Sequence, residues 1–390
     1  MSHFKAPDRT TARGARPQWY LVAAALFPCN WLESSGVAAP AEDGASIAAV
    51  SQAWEQRQHR CRSLVISWDT RKFIAKGYLP SVPGGKDSKP APIPPKDTEF
   101  DFPTTVTIDG ERMRVEKHTF GWSNATQKFD LHKYTGVYDG RTNSVYHTAG
   151  GDAKIGQGVV RREDTSFDFG DFNMIPILAM FRPFHPKIDK FRPESFAIAP
   201  TRGLANNTAC LILRGISPAN HQELWVDPKR DYAIVRYLRV NQETRKPAIH
   251  IDIDLVADPE VGWVPKGWRL LWLKADGSTN MSARVSVTKC SVNEGIADEQ
   301  FRIAFPPESY VRDEKNRTAY YTMADGSAKV VSRDQLNAEH NIDKLYDRLV
   351  RTPATGRQGS RKLALALFAS AILLGTCLWL WKIRRARLGK

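Results

Sequence analysis

Six segments in the second half of this chain read as strands in unbroken succession: 209–213, 223–227, 232–240, 248–256, 268–275 and 281–290. Turns at Asp227-Pro228, Asp258-Pro259 and Asp276-Gly277 separate several of them. Connections this short permit only antiparallel neighbours, because a parallel crossover needs about a dozen residues or more. The segments therefore predict an antiparallel meander. Ile249, Ile251, Ile253 and Leu255 point one way while His250, Asp252 and Asp254 point the other. A sheet with one dry face and one wet face is expected.

The first half fits the same architecture. Residues 43–60 predict a helix, with Ile47, Val50, Ala53 and Trp54 on one face and Gln52, Glu55, Gln56 and Gln58 on the other. Leu64, Ile66 and Trp68 then alternate with polar residues as a strand does. A Pro-rich stretch at 77–98 cannot build a core and reads as a loop or crossover. Two hairpins follow, 105–108 with 113–118 around Asp109-Gly110, and 129–138 with 144–147 around Asp139-Gly140. Residues 172–184 form an apolar segment, predicted to be a short buried helix that ends near Pro183. A last hairpin, 318–323 with 329–331, leads into a helix begun by Ser332 with Gln335 as a capping box and lined by Leu336, Ile342, Leu345 and Leu349.

The two ends of the chain carry location signals. Residues 363–381 are apolar throughout and long enough to cross a bilayer, with Trp379 and Trp381 at interfacial positions and five basic residues at 382–390. Residues 1–41 combine Lys5, Arg9, Arg13 and Arg16 with a short apolar run and Ala39-Pro40-Ala41, the pattern of a secretory signal. These features predict a single-pass membrane protein whose domain at 42–350 is extracytoplasmic (periplasmic), joined through a linker at 351–362 to a helix with a cytoplasmic tail. A cytosolic domain on a C-terminal tail anchor is the alternative.

Once the end segments are set apart, the domain carries 45 basic and 40 acidic residues, so the net charge of +14 gives no support to nucleic-acid binding. Cys61, Cys210 and Cys290 lie far apart in the domain; a Cys210–Cys290 disulfide is open, and no zinc spacing exists. His250, Asp252 and Asp254 share a strand face but lie too far apart to hold one ion, and read as a solvated stripe. Gly156-Gln157-Gly158 lacks the setting of a dinucleotide loop and reads as a turn. With no nucleophile or metal signature, no catalytic residue, metal or cofactor is assigned.

Three phrases resemble the lipoprotein-carrier class that includes LolA, LolB and the lipid-binding domain of RseB. They are Tyr138-Asp139-Gly140-Arg141-Thr142 with Val145-Tyr146, Glu223-Leu224-Trp225-Val226-Asp227-Pro228 leading into 232–237, and Phe301-Arg302-Ile303-Ala304-Phe305-Pro306-Pro307. The resemblance spans about residues 43–332. It implies an α+β, mainly antiparallel fold: a half-open β-barrel with helices on its concave side. The implied function is non-catalytic binding of a lipid, lipoprotein or other hydrophobic ligand, or else regulation through another envelope protein. Core packing explains most of the large aromatic side chains. The candidate ligand-binding residues of a cavity beneath the 172–184 segment are Trp68, Phe172, Met174, Ile177, Phe181 and Trp225.

Overall fold

A computed structural model describes residues 46–79, 93–123, 126–150, 153–162, 172–188, 191–216, 221–241, 243–339 and 341–351. The segments expected to be a signal (1–41), a membrane helix (363–381) and a tail (382–390), with most of the Pro-rich stretch, lie outside the described residues. Helix α1 (Ile47–Arg60) begins at Ser46, whose side chain accepts a hydrogen bond from the Ala49 N–H, and buries Val50, Trp54 and Arg57 along one face.

Two strand runs flank the first strand. β1 (Ser63–Ile74), β2 (Thr98–Asp109), β3 (Arg112–Ser123), β4 (Lys128–Tyr138), β5 (Asn143–His147) and β6 (Gly156–Val160) pair in sequence. A 3-10 turn, Phe172–Met174, and helix α2 (Ile175–Phe181) then lead into the second run. That run comprises β7 (Phe196–Ile198), β8 (Gly203–Ala205), β9 (Thr208–Gly215), β10 (Gln222–Asp227), β11 (Ala233–Val240), β12 (Pro247–Asp258), β13 (Gly262–Leu273) and β14 (Thr279–Val292). β7 and β8 both pair with β9, β9 to β14 pair in order, and β14 closes back on β1. The chain's first strand is thus central, and α2 lies in the connection between the runs.

β15 (Ser309–Asp313) adds to β6 as the one parallel pair among the described strands, and β16 (Thr318–Thr322) and β17 (Ala328–Val331) extend that edge. No pairing among the described strands joins the two outer ends. The sheet is mostly antiparallel and open, not a closed barrel.

The alternation read from the sequence sorts the two faces. Leu64, Ile66, Trp68, Val106, Ile108, Met113, Val115, Ile249, Ile251, Ile253, Trp268 and Leu270 are buried in one cluster with Val50 and Trp54 of α1 and the whole of α2. On the other face Arg236 Nε donates to Asp252 Oδ1 at 2.6 Å, with His250 Nε2 3.0 Å from the same oxygen. Burial opposes the Asp252 carboxylate, yet these two partners outweigh it and hold its pKa below the usual range. Ile251→Asp is expected to cost about 4 kcal/mol by burying an unpaired carboxylate, whereas Asp254→Asn on the exposed face should change stability by less than about 0.5 kcal/mol. Equal denaturation midpoints for the two variants would overturn the face assignment.

α1 is pinned where β10 turns into β11. Trp54 Nε1 donates to the Tyr232 carbonyl at 2.8 Å, and Arg57 donates to the Asp231 carbonyl. Asp231 and Tyr232 both take left-handed backbone, with φ of 51° and 54°. Each costs about 1 kcal/mol or more in strain, and the bonds from α1 offset that cost. Burial brings the Arg57 pKa down to about 10, with Asp231 opposing the shift.

A smaller core lies beyond β6. Ile155, Tyr310, Ala319, Tyr321, Val331, Leu345 and Tyr346 pack together, and Tyr321 Oη donates to the Ile342 carbonyl at 2.8 Å. The capping box at Ser332 and Gln335 forms as expected. The single last helix does not: it divides into α3 (Arg333–Ala338) and α4 (Ile342–Tyr346), the second started by Asn341, whose side chain accepts from Lys344 N. Gly156-Gln157-Gly158 is strand β6 rather than a turn. A Cβ on Gly158 would lie 2.5 Å from the Phe305 ring, so glycine is what allows Phe305 to seat on the strand.

One open question is answered and one expectation is corrected. Cys210 and Cys290 are free thiols, Cys210 packing with Ala205 and Val235 while Cys290 lies opposite Ile66. The single-pass membrane location does not stand: among the described residues no helix is long and apolar enough to cross a membrane. The longest, α1, has 14 residues, or about 21 Å at 1.5 Å per residue, against roughly 30 Å of hydrocarbon.

Candidate functional site

α2 is too short to be stable alone, and all seven of its residues, Ile-Pro-Ile-Leu-Ala-Met-Phe, are buried. Contact with α1 and the dry face therefore holds it. Its end is fixed by Arg182, which is 2% exposed. Arg182 Nε donates to the Gly110 carbonyl at 2.9 Å, Nη1 to those of Cys61 at 2.9 Å and Phe181 at 2.6 Å, and Nη2 to that of Arg62 at 2.9 Å. One guanidinium thus joins the last turn of α2, the end of α1 and the turn between β2 and β3. Burial lowers its pKa, but the group remains charged and its fork of donors is nearly saturated.

His185 completes this end. Its Nε2 lies 2.8 Å from the Glu111 carbonyl and its Nδ1 accepts from Lys187 N at 3.1 Å, so the ring is neutral with its proton on Nε2. Burial lowers its pKa from the ordinary 6.5. The unfolded chain then binds the proton more tightly than the folded one, so His185 stabilises the fold fully above pH 6.5 and loses that contribution as the pH falls below it. A melting temperature that declines from pH 7 to pH 5 is expected, with a shallower decline in His185→Gln; identical slopes would remove His185 from this role. A cleft of about 480 Å³ opens here, lined by Gln58, His59, Arg62, Glu111 and Phe184 among others. Most of its groups serve the Arg182 junction.

The opposite end of the sheet is aromatic. Ile74, the last residue of β1, pairs with Thr98 at the start of β2 and with Met281 on β14, which is itself opposite Trp272. Around this end, Phe172 touches Trp272 with ring centroids 5.1 Å apart, and Tyr78 lies 6.5 Å from the same indole. The β2–β3 pairing stops at Thr104 and Lys117. Past that fork, Phe120 reaches Phe100 at 4.0 Å and Phe102 at 5.2 Å, and Phe129 meets Phe100 at 5.2 Å and Trp122 at 5.1 Å. All but Phe102 are only partly buried, although Tyr78, Phe100, Phe129, Phe172 and Trp272 pack on the main core. Partly exposed aromatic side chains here run continuously into a dry interior.

Of the residues singled out from the sequence, Trp68, Met174, Ile177 and Phe181 come together in that interior, each at most 1% exposed. Phe172 stands at the aromatic rim. Trp225 lies on the other face: Leu224 and Val226 take the dry side, and the Trp225 ring packs under the Arg236 guanidinium at 4.8 Å. Sequence reasoning missed Tyr78, Phe100, Phe120 and Phe129 as a group. Phe100 and Phe120 lie just beyond the strands expected at 105–108 and 113–118, Phe129 opens the one expected at 129–138, and Tyr78 falls in the stretch read as a loop. Among the described residues no group of three or more His, Cys, Asp or Glu side chains could hold a metal ion.

No family model matches the chain, and no curated protein matches it. Among solved structures it is similar to a DUF1329 family protein from Desulfovibrio piger, at 10% identity over 66% of this chain and 97% of that one, with a TM-score of 0.40. A LolA superfamily protein from Nitrosomonas europaea matches at 9% identity over 66% and 98%, with a TM-score of 0.36. The complex of MucA and MucB from Pseudomonas aeruginosa matches at 10% identity over 65% of this chain and 61% of that one, with a TM-score of 0.17. The likeness is loose and concerns the fold alone.

Proposed function

We propose that the domain is a non-catalytic binding protein for a lipid, lipoprotein or other hydrophobic ligand, working as a half-open barrel with α1 and α2 on its concave side. One observation carries the reading: the partly exposed rim of Tyr78, Phe100, Phe129, Phe172 and Trp272 leads without interruption into the apolar space that α2 fills. An acyl chain meets Phe172 and Trp272 first. To go deeper it displaces α2 and takes the contacts that Met174, Ile177 and Phe181 make with Trp68 and its neighbours. Trp225 takes no part.

The test is titration of the purified full chain with a solvatochromic long-chain probe. Saturable binding, weakened at least tenfold by Trp272→Asp with little change in melting temperature, is expected. Binding that is absent, or indifferent to Trp272→Asp, would overturn the reading. A second reading, engagement of another envelope protein, is favoured by β17, whose outer edge pairs with no described strand and whose Val330 is 66% exposed. Co-purification of a protein that Val330→Pro releases, with no probe binding, would select it.

A further inference from the structure

Lysine seldom faces a dry interior, yet Lys117 does. It lies opposite Thr104 of β2 and Tyr134 of β4, on the face that carries Met113 and Val115, and is 8% exposed. Its ammonium stands 4.9 Å from the centroid of the Tyr134 ring. That ring lies flat along its strand because Gly136 has no side chain: a Cβ there would be 2.7 Å from Tyr134 Oη. The row continues to His147 on β5, whose ring is 4.9 Å from Tyr134 and 5.9 Å from His132.

The neighbouring row supplies the second observation. Thr119 and His132 face each other directly across β3 and β4, two residues beyond Lys117 and Tyr134 on the same face. Thr119 Oγ1 and His132 Nδ1 are both buried and neither has a hydrogen-bond partner among the described residues. Such groups are ordinarily satisfied, because leaving them unpaired costs folding free energy. Gly150 closes over His132 so tightly that a Cβ on it would lie 2.7 Å from His132 Cβ. A buried cation, two unspent polar atoms and two imidazoles thus converge at the fork where β2 and β3 part. Phe102 and Phe100 of β2 share the face of Thr104 and Lys117, so the aromatic rim reaches this point along β2.

We infer that Lys117, Thr119, His132 and His147 form a site for the anionic head group of a single-chain amphiphile, whose hydrocarbon lies along the aromatic rim. The inference rests on the hydrophobic-ligand reading and narrows it to a ligand class: a long chain ending in a carboxylate or phosphate. An oxyanion accepts several hydrogen bonds at once, which the ammonium, the Thr119 hydroxyl and the imidazole N–H groups supply. Burial, with His132 and Lys117 close by, lowers the His147 pKa, so this ring acts as a neutral donor at pH 7. A metal is the poorer occupant, since only two imidazoles and no carboxylate ligand set converge.

The experiment compares three probes on the purified full chain: a dansyl-labelled undecanoic acid, its methyl ester, and dodecyl phosphate as competitor. In the parent the acid is expected to bind at least tenfold more tightly than the ester, with dodecyl phosphate displacing it. Lys117→Met keeps the aliphatic stem and should bring the acid down to the ester's affinity while leaving the ester and the melting temperature unchanged. Lys117→Arg should retain the preference. Acid and ester binding alike in the parent, or an acid preference that survives Lys117→Met, overturns the head-group site and leaves the hydrophobic-ligand reading intact. Displacement of the acid by inorganic phosphate alone at equal concentration marks a free-anion site and also overturns it. Failure of both acid and ester to bind removes the hydrophobic-ligand reading itself.

Discussion

Replacing Arg182 with methionine is expected to lower stability by about 4 kcal/mol, a fall of about 10 °C in melting temperature. Methionine nearly matches the arginine stem in length, so the loss isolates the guanidinium. Four hydrogen bonds disappear, and the carbonyls of Gly110, Cys61, Phe181 and Arg62 lose a donor in a region where water has little access. Two of those carbonyls belong to helix ends, Phe181 of α2 and Cys61 at the cap of α1, where intrahelical donors are lacking in any case. Arg182→Lys should recover only part of the loss, because one ammonium nitrogen cannot reach the separate carbonyls that Nε, Nη1 and Nη2 address around the guanidinium plane. Arg62→Ala, whose side chain is exposed, is the control and should cost less than about 0.5 kcal/mol. Chemical denaturation of the three variants decides the matter. A loss below about 1 kcal/mol in Arg182→Met would mean that α2 is held by apolar contact alone.

How much of this was legible in the sequence depends on whether one strand's own period decides the side chain's place. For Ile249 to Ile253 it does, since the wet residues between them are charged or imidazole. Leu255 follows a bulge after Asp254 and is only partly buried, and the strand expected at 268–275 runs instead from Gly262 to Leu273. Asp109-Gly110 and Asp139-Gly140 marked their hairpins because those turns need residues that tolerate unusual backbone, and Gly110 and Gly140 do have φ of 56° and 97°. β6 escaped notice because its glycines leave room for Tyr146 of β5 and for Phe305, which arrives from the segment before β15. The last helix was read too long because apolar spacing continues across the break at Asn341. Two features of the sites were invisible for a different reason. Arg182 follows an apolar run as any solvated arginine might, and Lys117 sits in phase with Met113 and Val115 but carries a charge, so nothing in the strand's composition says that it is buried. The register that sets Lys117 beside Thr104 and Tyr134 places it on the inward face.

Two phenylalanines nine residues apart should behave oppositely if α2 is a displaceable filling over a ligand-binding surface. Phe181 is fully buried in the last turn of α2 and is anchored by the Arg182 bond to its carbonyl. Phe181→Asp is expected to cost about 5 kcal/mol, since the carboxylate has no partner there and its neighbours lose a large side chain, so probe binding falls because the fold does. Phe172 precedes α2 and is partly exposed, with its ring against Trp272. A carboxylate at 172 can turn to water, so Phe172→Asp should lower stability by less than about 1 kcal/mol. It nevertheless places charge where an acyl chain would enter, and probe affinity is expected to fall at least tenfold. Local elements with few contacts open at lower free energy than core strands, which is what lets α2 yield to a ligand while β1 and β12 remain intact. Hydrogen exchange supplies the companion measurement: amides of 175–181 should exchange faster than those of 249–253 in the free protein, and slow on adding the long-chain probe. Equal protection of the two segments, unchanged by the probe, would make α2 a permanent part of the core and confine any ligand to the rim.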